Sequence, residues 1–249
     1  MIVLKTAREL KLMREAGRIS AKALQLVGEA VQPGVTTHQL DQIAYKYILS
    51  QGAKPGFLNY GGFPASACIS INNEVIHGIP SKSRVIQNGD IVSVDLGAVF
   101  EGYNGDNAAT FAAGDVSPEA KRLIDVTRES LYEGIKMAQV GGRIGDISSA
   151  IQQYVEARGY SVVRQFVGHG VGACLHESPE VPNFGTKGRG VRLMPGMTLA
   201  IEPMINQGKP DVRTLSDGWT VVTADSGLSA HFEHSIAITD NGPVILTTP

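Results

Sequence analysis

Apolar residues recur at helical spacing from the start of the chain. Leu10, Met13, Ile19, Leu24 and Val27 follow Thr6-Ala7-Arg8-Glu9, which has the S/T-x-x-E form of a capping box. Pro33-Gly34 ends that helix. A second is predicted from about Thr37 through Leu40, Ile43, Ala44, Tyr47 and Ile48, stopping at Gly52. Ser117-Pro118 opens a third, with Ser as cap and Pro at the first helical position, running to about Val140 before Gly141-Gly142. A fourth lies near residues 146–158 and stops at Gly159. Elsewhere the pattern is strand-like. "ACISINNEVIHGIP" reads as one strand ending in a turn. "IVSVDLGAVFEGYNGDNAATF" reads as two strands joined at "EGYNGD". "SVVRQFVGHGVG", "MTLAIEPMIN", "WTVVTAD" and "AHFEHSIAIT" make the second half strand-rich.

The order helix, helix, strands therefore occurs twice. A shift of 107 residues places Gly34 on Gly141, Leu40 on Ile147, Tyr47 on Tyr154, Ile48 on Val155 and Gly52 on Gly159. This weak repeat predicts two related α+β halves packed as a single domain over residues 1–249, since no Pro/Ser linker separates them.

Composition narrows the function classes. Charge is almost balanced, with 22 Lys and Arg against 24 Asp and Glu, so neither a basic nucleic-acid footprint nor an acidic tail is expected. No signal peptide is visible, and the apolar runs are too short for a membrane span. Cys68 and Cys174 read as free thiols of a cytoplasmic protein. The 29 glycines in 249 residues exceed the usual ~7% and imply many tight turns or close backbone approaches.

Four acids lie in or beside apolar strand patterns: Asp95 in "VSVDLGA", Asp106 in "YNGDNAA", Glu202 in "LAIEPMI" and Glu233 in "AHFEHSIAI". An ionised carboxylate in an apolar setting is costly unless a positive partner meets it. "FVGHGVG" adds His169, left accessible between glycines. Together these five make a metal site. Four carboxylates are nearly neutralised by two divalent cations, and oxygen-rich ligation with one imidazole suits manganese, iron or cobalt, with zinc also accepted. His77 in "EVIHGIP" and His176 in "ACLHESP" are flanked by turn formers, as substrate-facing side chains would be. Rival chemistries are weak: no G-x-S-x-G, H-E-x-x-H, Walker A or post-strand G-x-G-x-x-G is present. A Cys174–His176 thiol nucleophile is disfavoured, because a small buried cysteine is the commoner case.

"DLGAVFEGYNGDNAATF", "GHGVGACLHESP", "PGMTLAIEPM", "DGWTVVT" and "AHFEHSIAITDNG", in that order, resemble the motifs of the type I methionine aminopeptidases of bacterial length, M24 metallopeptidases, over essentially the whole chain. The resemblance implies an α+β pita-bread fold, two pseudo-symmetric halves around a central antiparallel sheet, in agreement with the repeat. It implies that Asp95 binds one metal with both oxygens, that Asp106 and Glu233 bridge the pair, and that His169 and Glu202 hold the other. Glu202 would also shuttle the proton of the attacking water. His77 and His176 would contact the peptide and stabilise the tetrahedral intermediate. Tyr60, Phe63, Cys68, His77, Leu175 and Trp219 would line the methionine pocket. The expected partner is a peptide or nascent-chain N-terminus, with docking to the ribosome and a monomeric state as further expectations. His38, His231 and His234 receive no role, although the last two flank Glu233.

Two alternatives share the fold. X-prolyl peptidases carry a large extra N-terminal domain, for which Asp95 arrives too early. Type II methionine enzymes carry a helical insertion between the ligating histidine and first glutamate, for which the 33-residue spacing from His169 to Glu202 leaves little room. A partner-binding module without catalysis would lack several ligands, whereas all five are present.

Overall fold

The structure is a computed structural model that describes residues 2–249. Its helices are α1 (Ala7–Ala30), α2 (Thr37–Ser50), α3 (Pro118–Lys136) and α4 (Ile144–Glu156). The strands of the first half are β1 (Lys54–Pro55), β2 (Ala67–Ile71), β3 (Glu74–Ile76), β4 (Ile91–Phe100) and β5 (Tyr103–Ala112). Those that follow are β6 (Ser161–Val162), β7 (Gly168–Gly170), β8 (Glu177–Val181), β9 (Thr198–Ile201) and β10 (Met204–Asn206). The last five are β11 (Val212–Thr214), β12 (Val221–Thr223), β13 (Ser229–His231), β14 (Glu233–Thr239) and β15 (Gly242–Ile245).

Caps decide where the helices begin. Thr6 accepts from the Glu9 amide while the Glu9 carboxylate accepts from the Thr6 amide, the reciprocal capping box expected of this spacing. Ser117 accepts from the Ala120 amide and starts α3, with Pro118 at its first position. The 107-residue offset extends well beyond the helices. The Gly34 amide donates to Ile86 and the Gly141 amide to Leu193, at 2.9 and 3.0 Å. Thr36 bridges Val85 as Arg143 bridges Arg192. The Gln39 side chain accepts from the Thr36 amide just as Asp146 accepts from Arg143. Gly34 and Gly141 both adopt positive φ, 92° and 83°, which only glycine reaches without strain.

The main sheet runs β1-β4-β5-β14-β9-β7-β8, with β2 on β4 and β15 on β14, and its pairs are antiparallel. The β5–β14 pair joins the halves. Ser235 Oγ braces this seam, accepting from the Asp106 amide and donating to the Asp106 carbonyl. α1 and α2 pack on β2 and β4 through a core that includes Ile19, Leu40, Ile48, Val92, Val94 and Leu96. α3 and α4 do the same for β9 and β14 through Leu123, Ile147, Ile151, Leu199 and Ile236.

α1 meets β5 at backbone contact. A Cβ built on Gly105 would fall 2.4 Å from the Gly17 amide nitrogen, and one on Gly17 would fall 2.4 Å from the Leu246 carbonyl oxygen. Gly105→Ala is therefore expected to lower the unfolding free energy by about 1–3 kcal/mol, the usual cost of overpacking, read from the midpoint of a urea titration. An unchanged midpoint would mean that α1 and β5 separate freely.

Four stretches expected from the sequence as single strands are in fact pairs. β2 and β3 are split at Asn72, whose φ is 58°. β9 ends before Pro203, which has no N–H for the ladder, and β10 crosses to a small sheet of order β13-β10-β6. β13 and β14 divide at Phe232 at the same point, with Met204 opposite His231. "SVVRQFVGHGVG" likewise becomes β6 and β7. α3 also stops at Lys136, about one turn before the expected Val140.

Candidate metal centre and substrate pocket

Strand alternation brings the five expected ligands to one face. Side chains on β4 alternate, so Val92, Val94 and Leu96 meet the helices while Asp95 points the other way. Asp95 lies opposite Ala108, as does Glu233, and Asp106 is two residues from Ala108 on the same face. Ala200 pairs with both Ser235 and His169, which puts His169 and the next alternate position, Glu202, on that face as well. Glu202 lies 107 residues after Asp95, so the two carboxylates occupy equivalent places in the halves. The departure of β10 and β13 from the main sheet opens the space between them.

Ligand atoms of Asp106, His169 and Glu233 lie within 4.8 Å of one another. His169 Nε2 is 3.5 Å from Glu202 Oε1 and 3.8 Å from Asp106 Oδ2. Its Nδ1 donates to the Gly170 carbonyl at 2.9 Å, which leaves the Nε2 lone pair facing the carboxylates. Burial, then His176, lowers the His169 pKa to about 4, so the ring is neutral. Burial drives all four carboxyls the other way. Asp106 rises to about 7; Asp95 is raised further by Asp106 and Glu202, Glu202 by Asp106, and Glu233 by all three.

The arrangement fits divalent cations. Asp95 Oδ1, Asp106 Oδ1 and Glu233 Oε1 are buried without a hydrogen-bond partner. Buried oxygens are rarely left so, and each orphan costs about 1–3 kcal/mol or more. No Lys or Arg forms an ion pair with these three carboxylates among the described residues, and the one imidazole in range of them there, His169 Nε2 at 3.8 Å from Asp106 Oδ2, is neutral. A hard cation supplies what the protein withholds.

A cavity of about 200 Å³ opens on this cluster. Tyr60, Phe63, Cys68, His77, Leu175, His176 and Trp219 all line it, together with the four acids and the His169 imidazole of the centre. Phe63 and Trp219 meet edge to face at 5.2 Å. Cys68 is buried, and burial, Asp95 and Asp106 push its thiol well above the usual range, so it serves as a small apolar wall. His77 adopts a φ of 60°, uncommon for a non-glycine residue and a mark of functional constraint. Its ring stands edge-on to Phe166 and Trp219, at 5.9 and 6.2 Å. Burial, then His176, lowers its pKa to about 4. The His176 ring lies 4.2 Å from that of His169, and its Nδ1 is 2.8 Å from the Tyr60 hydroxyl.

Several features escaped the sequence. Phe57 and Gly61 also line the cavity, although the aromatic, glycine-rich "PGFLNYGGFPAS" pointed to their loop. His231 is buried with both ring nitrogens unpaired, its Nε2 3.8 Å from Glu202 Oε2. His234 instead bonds Thr247. His38 lines a separate groove near Asp41 and Pro64. Cys174 is exposed, contrary to the expected buried thiol. The His176 Nδ1 is hydrogen-bonded to Tyr60, and no hydrogen bond joins His176 to Cys174 among the described residues.

Residues 11–240 match Metallopeptidase family M24. The chain belongs to metallopeptidase family M24. A Methionine aminopeptidase of Clostridium perfringens is 57% identical over 247 residues, spanning 99% of each chain. A solved methionine aminopeptidase from Thermotoga maritima superposes with a TM-score of 0.99 at 47% identity, over 100% of both chains. A prolidase from Pyrococcus furiosus superposes with a TM-score of 0.81 at 23% identity, the match covering 66% of that chain, which is a likeness of fold. The M24 fold is the pita-bread arrangement described above, with no helix long and apolar enough to cross a membrane among the described residues.

Proposed function

We propose that the chain is a methionine aminopeptidase that removes the first residue of peptides and nascent proteins when the second is small. The observation that carries this reading is the apolar cavity lined by four carboxylates, three of which hold a buried unpaired oxygen, and by a neutral imidazole. Both halves supply these residues, which favours treating residues 1–249 as one catalytic domain.

Asp95, Asp106, His169, Glu202 and Glu233 would hold two divalent cations, with Asp106 and Glu233 shared; manganese, iron and cobalt suit the donors, and zinc is accepted. When bound, such ions lower the pKa of a water to near neutrality and polarise the scissile carbonyl. The protein supplies the rest. Phe57, Phe63, Cys68, Leu175 and Trp219 enclose a thioether side chain. The carboxylate-lined end would attract the free α-amine, which favours an exopeptidic reaction. Tyr60 O–H donating to His176 Nδ1 places the proton on Nε2, ready to donate to charge developing on the carbonyl oxygen. His77 faces the same space from the opposite wall. Glu202 is placed to take a proton from the attacking water and pass it to the leaving amine. Action on nascent chains would place the enzyme in the cytoplasm, as a monomer within reach of the ribosome.

His77, packed edge-on against Phe166 and Trp219 in the cavity wall, would crowd a large second residue. Met-Gly-Met-Met should therefore be cleaved at least ~10²-fold more efficiently than Met-Leu-Met-Met, since crowding penalties of a few kcal/mol give factors of that order. Equal cleavage of both peptides would remove the size restriction from the account.

A further inference from the structure

We infer that Lys5 and Glu177 form a buried clamp that sets the loop bearing Leu175 and His176, which makes Lys5 a positioning residue for the reaction. The inference rests on the methionine aminopeptidase reading and extends it to the N-terminal segment.

Lys5 Nζ donates to Glu177 Oε2 at 2.6 Å, and the two side chains are only 2% and 13% exposed. Exposed ion pairs contribute little, because water and salt screen them. This pair is shielded from both, so removing one partner leaves a stranded charge. The second oxygen of Glu177, Oε1, accepts from the Cys174 amide at 3.1 Å. One carboxylate thus ties the loop to Lys5. Lys5 is itself tethered: its amide donates to the Gly196 carbonyl at 2.7 Å, and Nζ donates also to the Val3 carbonyl at 3.1 Å. The next residue, Thr6, caps α1.

The loop is gripped from its other side by β5. The Asn104 amide and Nδ2 each donate to the Gly172 carbonyl at 2.9 Å, and Nδ2 reaches Ala173 as well. A Cβ on Gly172 would fall 2.4 Å from both Glu177 Oε1 and Lys5 Cε, so the ion pair closes directly over that glycine. Between these anchors stand Leu175, buried in the wall of the cavity, and His176, whose ring meets Tyr60. Neither Lys5 nor Glu177 lines the cavity. Their effect on catalysis would pass through the loop alone.

The test compares wild type with Lys5→Met, Lys5→Arg, Glu177→Gln and the double variant Lys5→Met/Glu177→Met. It reads kcat and KM on Met-Gly-Met-Met at saturating manganese, metal stoichiometry, and amide exchange by peptide. Misplacement of a catalytic group by about 1 Å can cost ~10²-fold, so kcat should fall by that order in Lys5→Met and Glu177→Gln. Metal stoichiometry should be unchanged, and amides of residues 172–177 should lose protection while those of α3 keep it. The double variant should lose no more than the worse single, because both act through one loop, and Lys5→Arg should recover most of kcat. Unchanged kcat in the folded single and double variants, with only a lower melting temperature, would overturn the inference, as would protection lost evenly across the chain. If wild type cleaves no methionine peptide, the aminopeptidase reading fails. The clamp is then judged by exchange in Glu177→Gln, where full protection of residues 172–177 would refute it.

Discussion

Metal removal should abolish hydrolysis, and Asp106→Asn should reproduce much of that loss even with metal in excess. Both effects are expected to be at least on the order of 10³-fold in kcat/KM, since the cations are the main source of an attacking water competent at neutral pH. Asp106 sits at the centre of the cluster, close to His169 and Glu233, and it raises the pKa of each of the other three carboxyls. Losing its charge would remove the ligand proposed to be shared rather than a peripheral one. Isothermal titration of the variant should show fewer or weaker sites, and retention of two tight sites with full activity would exclude Asp106 as a shared ligand.

The same cluster predicts opposite pH responses for loaded and metal-free protein. The groups facing one another are Asp95, Asp106, Glu202, Glu233 and the neutral His169. A carboxyl whose folded pKa is raised binds its proton more tightly folded than unfolded. Its stabilising contribution is present below the unfolded value and is lost as pH rises through the folded one. For Asp106 that window runs from its ordinary 3.8 to about 7. Chelated protein should therefore melt at lower temperature at pH 8 than at pH 5.5. Metal binding runs the other way, because protons compete with cations below about pH 7. At pH 8, cation at a thousand times its dissociation constant should add about 4 kcal/mol of stability. A chelated protein that gains stability between pH 5.5 and 8 would contradict this account of the orphan carboxylates.

The second large effect is expected at His176. Its ring contributes no ligand atom to the Asp106–His169–Glu233 group, yet it stands 4.2 Å from the His169 ring at the mouth of the cavity. In the proposed reaction a donor held there by Tyr60 would meet the carbonyl oxygen only as charge develops on it. His176→Ala should therefore lower kcat by about 10²–10³-fold, with KM and metal stoichiometry little changed, as for other preorganised donors to an oxyanion. A rise in KM with kcat intact would instead make His176 a binding residue. Asn is the informative second variant, since its amide can still donate and should recover part of kcat.

Much of this site was legible because it depends on local contradictions. A carboxylate within an apolar strand violates burial rules wherever the strand lies, and four such violations with one glycine-flanked histidine point to cations before any fold is known. The repeat was legible for a similar reason: Gly34 and Gly141 end turns that need positive φ, and each turn is followed by the same helical spacing. What escaped the sequence is set by partners far along the chain. Pro203 interrupts β9, but only the pairing of Met204 with His231 sends the next strand into another sheet. Asn72-Asn73-Glu74 interrupts the apolar pattern of its stretch, but the positive φ of Asn72 that turns the chain there is set only in the fold. Phe57 and Gly61 enter the cavity through the path of a loop that has no period. Cys174 lies in a loop tied to Lys5 through Glu177, a contact 172 residues apart that no local pattern announces.

The fold is shared with prolidases, so the cavity rather than the sheet must decide the substrate. The most direct measurement is mass-spectrometric cleavage of Met-Gly-Met-Met and Ala-Pro-Ala-Ala by metal-stripped protein with manganese, iron, cobalt or zinc restored in turn. The account predicts metal-dependent loss of methionine from the first peptide and no cleavage of the second. Cleavage confined to the proline peptide, or none with any metal by folded protein, would contradict it.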